Sequence, residues 1–437
     1  FTRVDETSGA CNPNQLCIAT RKHVRSVQRM AERVHRHGAR IFVQLHHGGR
    51  EAPPALNDGK QPMGPSAILN KVNGLVSTEM TKEEIGYIIK KFVAAAVNCQ
   101  KAGIDGVELH AAHGYLLGSF ISPYTNKRTD EYGGSVQNCC RIVTEIINGI
   151  RAACGRYPIC VRINGSDFVE GGITLAYAVE VAKTLEAAGA DALNVSCAVY
   201  ETVPNMIEPN YYEEGWRKEL AKTVKAHVKI PVIAVNTIKF PATAEKLLEE
   251  GVSDFVGVSR GQMADPEWVN KARAGREDLI RKCMGCMQCN KSVVQDGYLS
   301  CAANPVTGRG TMYNDEYLIR SGAGRNVVVI GGGPAGMQAA ITLAKRAFHV
   351  ILLEQKSYLG GMAYLATVPP HKTMVAEFIK TLEAEMKELG VDVRMNVTAD
   401  VATVKALEPY AVVVANGGME IVPQVAGLDS AHVHTME

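Results

Sequence analysis

The sequence predicts an α/β protein: a (β/α)8 barrel lacking its N-terminal strand or strands, then a cysteine loop, then a partial Rossmann-like fold. Three observations carry that reading. Short β-rich runs alternate with amphipathic helical stretches from residue 1 to about 275. Four cysteines crowd residues 283–301. A strand, glycine turn, helix and second strand follow from residue 325. The expected segments are 1–275, 276–320 and 321–437.

The strand candidates of the first segment are "IFVQLH" (41–46), "GVELHA" (106–111), "PICVRI" (158–163), "ALNVSC" (192–197), "PVIAVN" (231–236) and "DFVGVS" (254–259). Helical stretches lie between them, such as "TKEEIGYIIKKFVAAAVNCQKAG", with Thr81 as N-cap and Gly103 as stop. Repeated βα units with apolar strands imply a parallel sheet covered by helices, and six over this length fit a barrel better than a doubly wound sheet. Six falls short of eight, and no strand is expected before a helix over about 19–38, so one or two strands are expected to be missing. The last segment is likewise expected to be cut short after "YAVVVANGG".

Composition narrows the class. A chain of 437 residues, 46% hydrophobic, can bury more than one core. Its 47 Lys and Arg against 45 Asp and Glu give a net charge of +2, which makes no electrostatic case for nucleic acid. No apolar run approaches the ~20 residues that cross a bilayer. Twelve cysteines without a secretion signal point to free thiols in a reducing compartment, hence a cytoplasmic enzyme. A homo-oligomer is compatible with all of this.

The array C-x2-C-x2-C-x11-C comprises Cys283, Cys286, Cys289 and Cys301. Three ligands crowding one turn resemble iron–sulfur ligation more than the paired knuckles of a zinc ribbon; zinc or free thiols are the alternatives. Gly331, Gly333 and Gly336 form G-x-G-x-x-G between a strand and a helix. Glu354 ends the next strand, where an acid meets ribose hydroxyls. This motif marks a dinucleotide and does not separate FAD from NAD(P).

In the first segment, "HAAHGYLL" places His110, His113 and Tyr115 at a strand's C-terminal end, the active face of such barrels. Two imidazoles can grip a carbonyl oxygen and a phenol can deliver a proton; a satisfied structural pair with a packing tyrosine is the bland alternative. Gln44 is an amide able to pair with a flavin edge. Arg162, inside a strand, would be costly if buried unpaired and could stabilise an anionic flavin. Arg260, in "GVSRGQMADP", suits the phosphate site after strands 7–8, or a surface ion pair.

Together these residues resemble the Old Yellow Enzyme group of flavin oxidoreductases. The order barrel, cysteine loop, dinucleotide fold is similar to the iron–sulfur subgroup containing 2,4-dienoyl-CoA reductase, 2-enoate reductase and trimethylamine dehydrogenase. "VQLHHGGR", "HAAHGYLLGSFISPYTNKRTDEYGGS", "GVSRGQMADP", the cysteine loop and "VVVIGGGPAG" carry the resemblance over nearly the whole chain. It implies FMN contacted by Gln44, Arg162 and Arg260, with Ser259 and Asn236 in the cofactor-binding set. It implies a substrate oxygen held by His110 and His113, with Tyr115 as proton donor. It also implies a [4Fe–4S] cluster on the four cysteines and FAD on Gly331, Gly333, Gly336 and Glu354. The implied activity passes electrons from NAD(P)H through FAD and the cluster to FMN, which reduces the C=C bond of an α,β-unsaturated carbonyl compound. Two departures stand out: "QNCCR" puts Cys139 where the family has Arg, and the family's NAD(P)-binding insertion is absent. The cysteine spacing is nearer trimethylamine dehydrogenase, so oxidative N-demethylation of an amine is an alternative, and a non-catalytic truncated flavoprotein is a third. The loop 196–215, with Tyr200, is the expected specificity segment, in which Tyr200 either approaches substrate or packs.

Overall fold

The computed structural model describes residues 1–437 except 236, 419, 420, 422, 429 and 435–437. Asn236 therefore lies outside the described residues. The chain falls into two compact units, residues 1–258 with 290–298 and residues 259–289 with 299–437.

In the first unit, seven strands lie side by side in chain order: Thr2–Arg3, Phe42–His46, Gly106–Ala111, Ile159–Asn164, Ala192–Ser196, Val232–Val235 and Phe255–Gly257. Every neighbouring pair is parallel. A doubly wound sheet reverses its order at a switch point. Unbroken chain order is the (β/α)8 barrel arrangement. All six expected strands form within a residue or two of their predicted bounds.

Thr2–Arg3 corrects the expectation of no strand before the first helix. These two residues pair with Leu45 and His46, too short and too polar a run to show a period of two. The helix itself is Val24–His35, after a 3-10 turn at Arg21–His23.

Side chains explain the layering. Val107, Leu109, Val161, Ile163, Leu193 and Val195 are almost wholly buried, each contributing about 1.5–3 kcal/mol of hydrophobic burial. The helix Lys82–Lys101 starts where expected: Thr81 accepts the Glu84 N–H, and the Glu84 carboxylate accepts the Thr81 N–H. Such a capping box contributes about 1 kcal/mol.

The second unit holds four parallel strands in the order Asp392–Arg394, His349–Leu353, Asn326–Ile330, Ala411–Val414. In chain terms that is 3-2-1-4, the half-sheet of a dinucleotide-binding fold. One face packs Val329, Val350 and Leu352 on Met337, Ile341, Leu382 and Met386 from the helices Pro334–Lys345 and Thr373–Glu388. Val328, Ile351 and Leu353 pack on the other side against Val397, Val404 and Leu407. Both faces are covered, as a parallel sheet requires. The stretch leading to the cysteines is tied to this unit: the Arg281 guanidinium binds both Glu385 oxygens, at 2.6 and 2.7 Å. No helix among the described residues is long and apolar enough to cross a membrane.

Candidate active site

Polar side chains recur at every second position of four adjacent strands: Gln44 and His46, Glu108 and His110, Cys160 with Arg162 and Asn164, Asn194 and Ser196. The register sets them in rows, Gln44 beside Glu108 beside Cys160, and His110 beside Arg162 beside Asn194. Period two sends alternate residues to opposite faces, so these polar groups share the face opposite the helix-packed valines and leucines.

Glu108 holds the first row together. It accepts hydrogen bonds from Gln44 at 2.5 Å and Asn194 at 2.8 Å, and the Cys160 thiol points at it from 3.5 Å. Its charge also opposes Arg162, whose pKa is lowered by burial while Glu108 pulls it back up. Arg162 thus has a carboxylate within electrostatic reach. Gln44, Glu108 and Arg162 stay partly exposed beside fully buried neighbours, and Arg162 Nε has no hydrogen-bond partner. Space and an unused donor fit a planar ligand with a polar edge, as the FMN expectation requires.

The structure brings His110, His113 and Tyr115 together at the end of the Gly106–Ala111 strand. Tyr115 meets the ring of His110 edge-on at 4.8 Å and that of His46 at 4.4 Å. His113 sits at φ 62°, a left-handed conformation that costs a non-glycine residue about 1–3 kcal/mol. Its N–H donates to Asn164 at 3.3 Å, and its ring spans His110 Nε2 at 3.3 Å and Ser196 Oγ at 2.7 Å.

The direction of this chain follows from its ends. Arg162 donates to Ser196 Oγ at 3.2 Å, and a guanidinium cannot accept. Satisfying the buried Ser196 hydroxyl proton then requires donation to His113 Nε2. Neutral His113 carries its proton on Nδ1 and donates it to His110 Nε2. His110 is left with an N–H on Nδ1, which has no partner. Burial first, and then neighbouring positive groups, hold His46, His110 and His113 well below the usual imidazole pKa. They are therefore neutral donors near pH 7. Burial holds the Tyr115 phenol well above its usual value, with its proton on. Sequence reading missed His46, Glu108, Asn194 and Ser196; the alternation of polar residues along four strands was the signal available.

The four cysteines lie in the second unit, around one cavity that Arg260 and Met287 also line. None of the twelve cysteines is joined in a disulfide. Among the described residues, the one group of three ligand atoms within 4.8 Å of one another is Glu6, Cys17 and His23, where Lys22 already pairs with Glu6. No three array sulfurs are that close, whereas thiolates at 2.3 Å from one tetrahedral zinc would stand roughly 4 Å apart. Ser259 precedes the short helix Arg260–Ala264, and Arg260 Nη1 lies 3.6 Å from Met287 Sδ. The structure thus groups Arg260 with the cysteine loop.

At the glycine turn, Gly333 caps the helix Pro334–Lys345. A Cβ on Gly331 would stand 2.4 Å from Ala415 O, and one on Gly336 1.9 Å from Gly331 O. A Cβ on Gly333 would meet Gly361 Cα at 4.0 Å and nothing nearer, which leaves room at a helix N-terminus, where a pyrophosphate fits. Glu354 reaches the turn, accepting the Gly332 N–H at 2.6 Å.

Residues 1–279 match the NADH:flavin oxidoreductase / NADH oxidase family, and residues 326–416 match the FAD dependent oxidoreductase family. The chain belongs to the NADH:flavin oxidoreductase / NADH oxidase family. Its cofactors are FMN and FAD. This flavin oxidoreductase is 44% identical over its whole length to an NADH oxidase of Thermoanaerobacter brockii, covering 67% of that protein. It is 33% identical over 92% of its length to a cinnamate reductase of Clostridium sporogenes, of which it spans 63%. The solved structure of a 2-naphthoyl-CoA reductase superposes on all of it with a TM-score of 0.95 at 30% identity, the match covering 68% of that chain.

Proposed function

We propose that this protein passes electrons from NAD(P)H through FAD and a [4Fe–4S] cluster to FMN and saturates the C=C bond of an α,β-unsaturated carbonyl compound. The observation that carries the proposal is the unpartnered His110 N–H beside a buried, protonated Tyr115. FAD would rest on Gly331, Gly333, Gly336 and Glu354, the cluster on Cys283, Cys286, Cys289 and Cys301, and FMN beside Gln44 and Arg162. Bound FMN supplies a hydride, FAD accepts one from the nicotinamide, and the cluster carries single electrons. His110 donates to the substrate's carbonyl oxygen and so draws charge away from the alkene. His113 holds the His110 ring and its tautomer. Tyr115 gives its proton to the α-carbon.

Electrostatics favour this over amine oxidation. Burial first, then the Arg162 and Arg217 guanidiniums, lower the His113 pKa; Arg217 is ion-paired with Glu208 at 3.1 Å, which leaves Arg162 as the cation that favours a developing oxyanion over an ammonium. The aromatic group of Phe168, Tyr212 and Trp216 could otherwise serve as a bowl for a cation. It already has the Arg217 guanidinium 6.0 Å from the Trp216 ring.

The test is anaerobic. Purified holoprotein should contain both flavins and about four irons per chain. After reduction with NADH or NADPH it should convert cinnamate, a cinnamoyl thioester or a simple enone to the saturated product, one molecule per electron pair. Reduction of the oxidised protein by a tertiary amine, with all three alkenes untouched, would overturn the proposal.

A further inference from the structure

We propose that Tyr200 relays protons to Tyr115, with Glu51 as the acid that supplies them. The inference rests on the ene-reductase reading, since a relay is needed only where Tyr115 spends its proton. The two hydroxyl oxygens are 2.8 Å apart and the rings meet edge-on at 5.7 Å. Tyr115 is 5% exposed, and the hydrogen-bond partner of its hydroxyl is Tyr200.

Next to the pair lies a buried charged cluster. Arg50, 2% exposed, binds Glu201 at 2.7 Å and lies 3.8 Å from Glu51. Tyr124 donates to Glu201 at 3.4 Å and stands 5.9 Å from the Arg50 guanidinium. Asn70 donates to Glu51 Oε2 at 2.9 Å. The Cys11 thiol points at the Glu51 carbonyl from 3.7 Å, its own pKa pushed up by burial.

One guanidinium thus serves two buried carboxylates, and a second negative charge there would go without compensation. Glu51 is the one that holds a proton: burial lifts its pKa to about 7, and the Glu201 charge adds to the lift against Arg50 and Asn70. Glu51 Oε1 has no hydrogen-bond partner. It lies 3.7 Å from where a Cβ on Gly114 would stand, and Val199 Cγ1 lies 3.6 Å from that same point. That oxygen, which Arg50 Nη1 approaches to 3.8 Å, borders Gly114, the residue immediately before Tyr115.

The proton count closes. Tyr115 loses its O–H bond as a C–H bond forms at the substrate's α-carbon. The Tyr115 oxygen takes the Tyr200 proton, and the Tyr200 oxygen takes the carboxyl proton of Glu51. The negative charge ends on Glu51 beside Arg50, and solvent restores the proton. No electrons move in the relay. Tyr200 and Glu51 act through Tyr115, as positioning residues for its proton.

The experiment follows alkene reduction by the anaerobically reduced holoenzyme in H2O–D2O mixtures across pH. In the wild type, the rate should depend on deuterium fraction along a curve, as when several protons move, and should fall above pH about 7 as Glu51 ionises. Tyr200→Phe should lower the rate at least tenfold and make that dependence linear. Glu51→Gln should abolish the fall with pH. In protein labelled with 3-fluorotyrosine and without substrate, the Tyr115 fluorine resonance should titrate near that pH, and should not in Glu51→Gln. A Tyr200→Phe enzyme with unchanged rate, deuterium dependence and pH profile, beside a Tyr115→Phe enzyme that has lost turnover, would overturn the relay alone. If Tyr115→Phe is also unaffected, the ene-reductase reading falls with it.

Discussion

Tyr115→Phe should lower turnover of an activated alkene by about 10²- to 10⁴-fold, the range by which a positioned general acid accelerates a reaction. The substitution removes one oxygen and keeps the ring that packs edge-on against His46 and His110. Stability should therefore change little beyond the hydrogen bond to Tyr200, about 1 kcal/mol. Substrate affinity should hold, because the carbonyl oxygen is assigned to His110. Stopped-flow absorbance of the reduced protein mixed with an enone separates the two, giving the binding constant and the limiting rate. A limiting rate within twofold of wild type would remove Tyr115 from the chemistry and leave it a packing residue.

Gly336→Ala should abolish stoichiometric FAD while FMN stays bound. An added Cβ would stand 1.9 Å from Gly331 O, and both partners are backbone in the turn itself. The helix Pro334–Lys345 would have to withdraw from the strand Asn326–Ile330, and with it the N–H groups aimed at the pyrophosphate. Gly333→Ala probes the same site differently. Its Cβ would stand 4.0 Å from Gly361 Cα without a clash, so the turn keeps its shape and only the room for phosphate oxygens shrinks. Flavins released by heat and separated by chromatography should show FAD down at least tenfold in Gly336→Ala and FMN at one per chain. Dithionite should then still drive alkene reduction where NADH cannot. Full FAD in Gly336→Ala would mean that the dinucleotide does not lie on this turn.

The sequence announced this site unevenly, for physical reasons. His110, His113 and Tyr115 were legible because three chemically capable side chains sit together at a strand end. Glu108 was not, although it lies two residues before His110 on the same strand and so shares its face. Within "GVELHA" it looks like an ordinary strand residue, and only the bonds from Gln44, Cys160 and Asn194 show a carboxylate organising that row. Tyr200 lay in a loop segment where no periodicity operates, and packing or function were equally open to it. Its 2.8 Å contact with Tyr115 spans 85 residues of chain, and no local pattern encodes such a distance. The strand at Thr2–Arg3 escaped for the opposite reason: two residues are fewer than one period of any pattern. In the second unit the glycine turn was fully legible, because close backbone approach at Gly331 and Gly336 tolerates no other residue.

The clasp between Arg281 and Glu385 has a kinetic consequence. Electron tunnelling falls off exponentially with the gap between donor and acceptor, so a relay works steadily only if that gap is held constant. Arg281 lies two residues before Cys283 and grips Glu385 through Nε and Nη2, while Thr381 on the same helix donates to the Ile280 carbonyl at 3.3 Å. The backbone that carries the first cysteine is thereby clamped to the helix that packs on the dinucleotide sheet. In the proposed relay, this clamp would steady the distance between the glycine turn and Cys283 while the barrel takes up substrate and releases product.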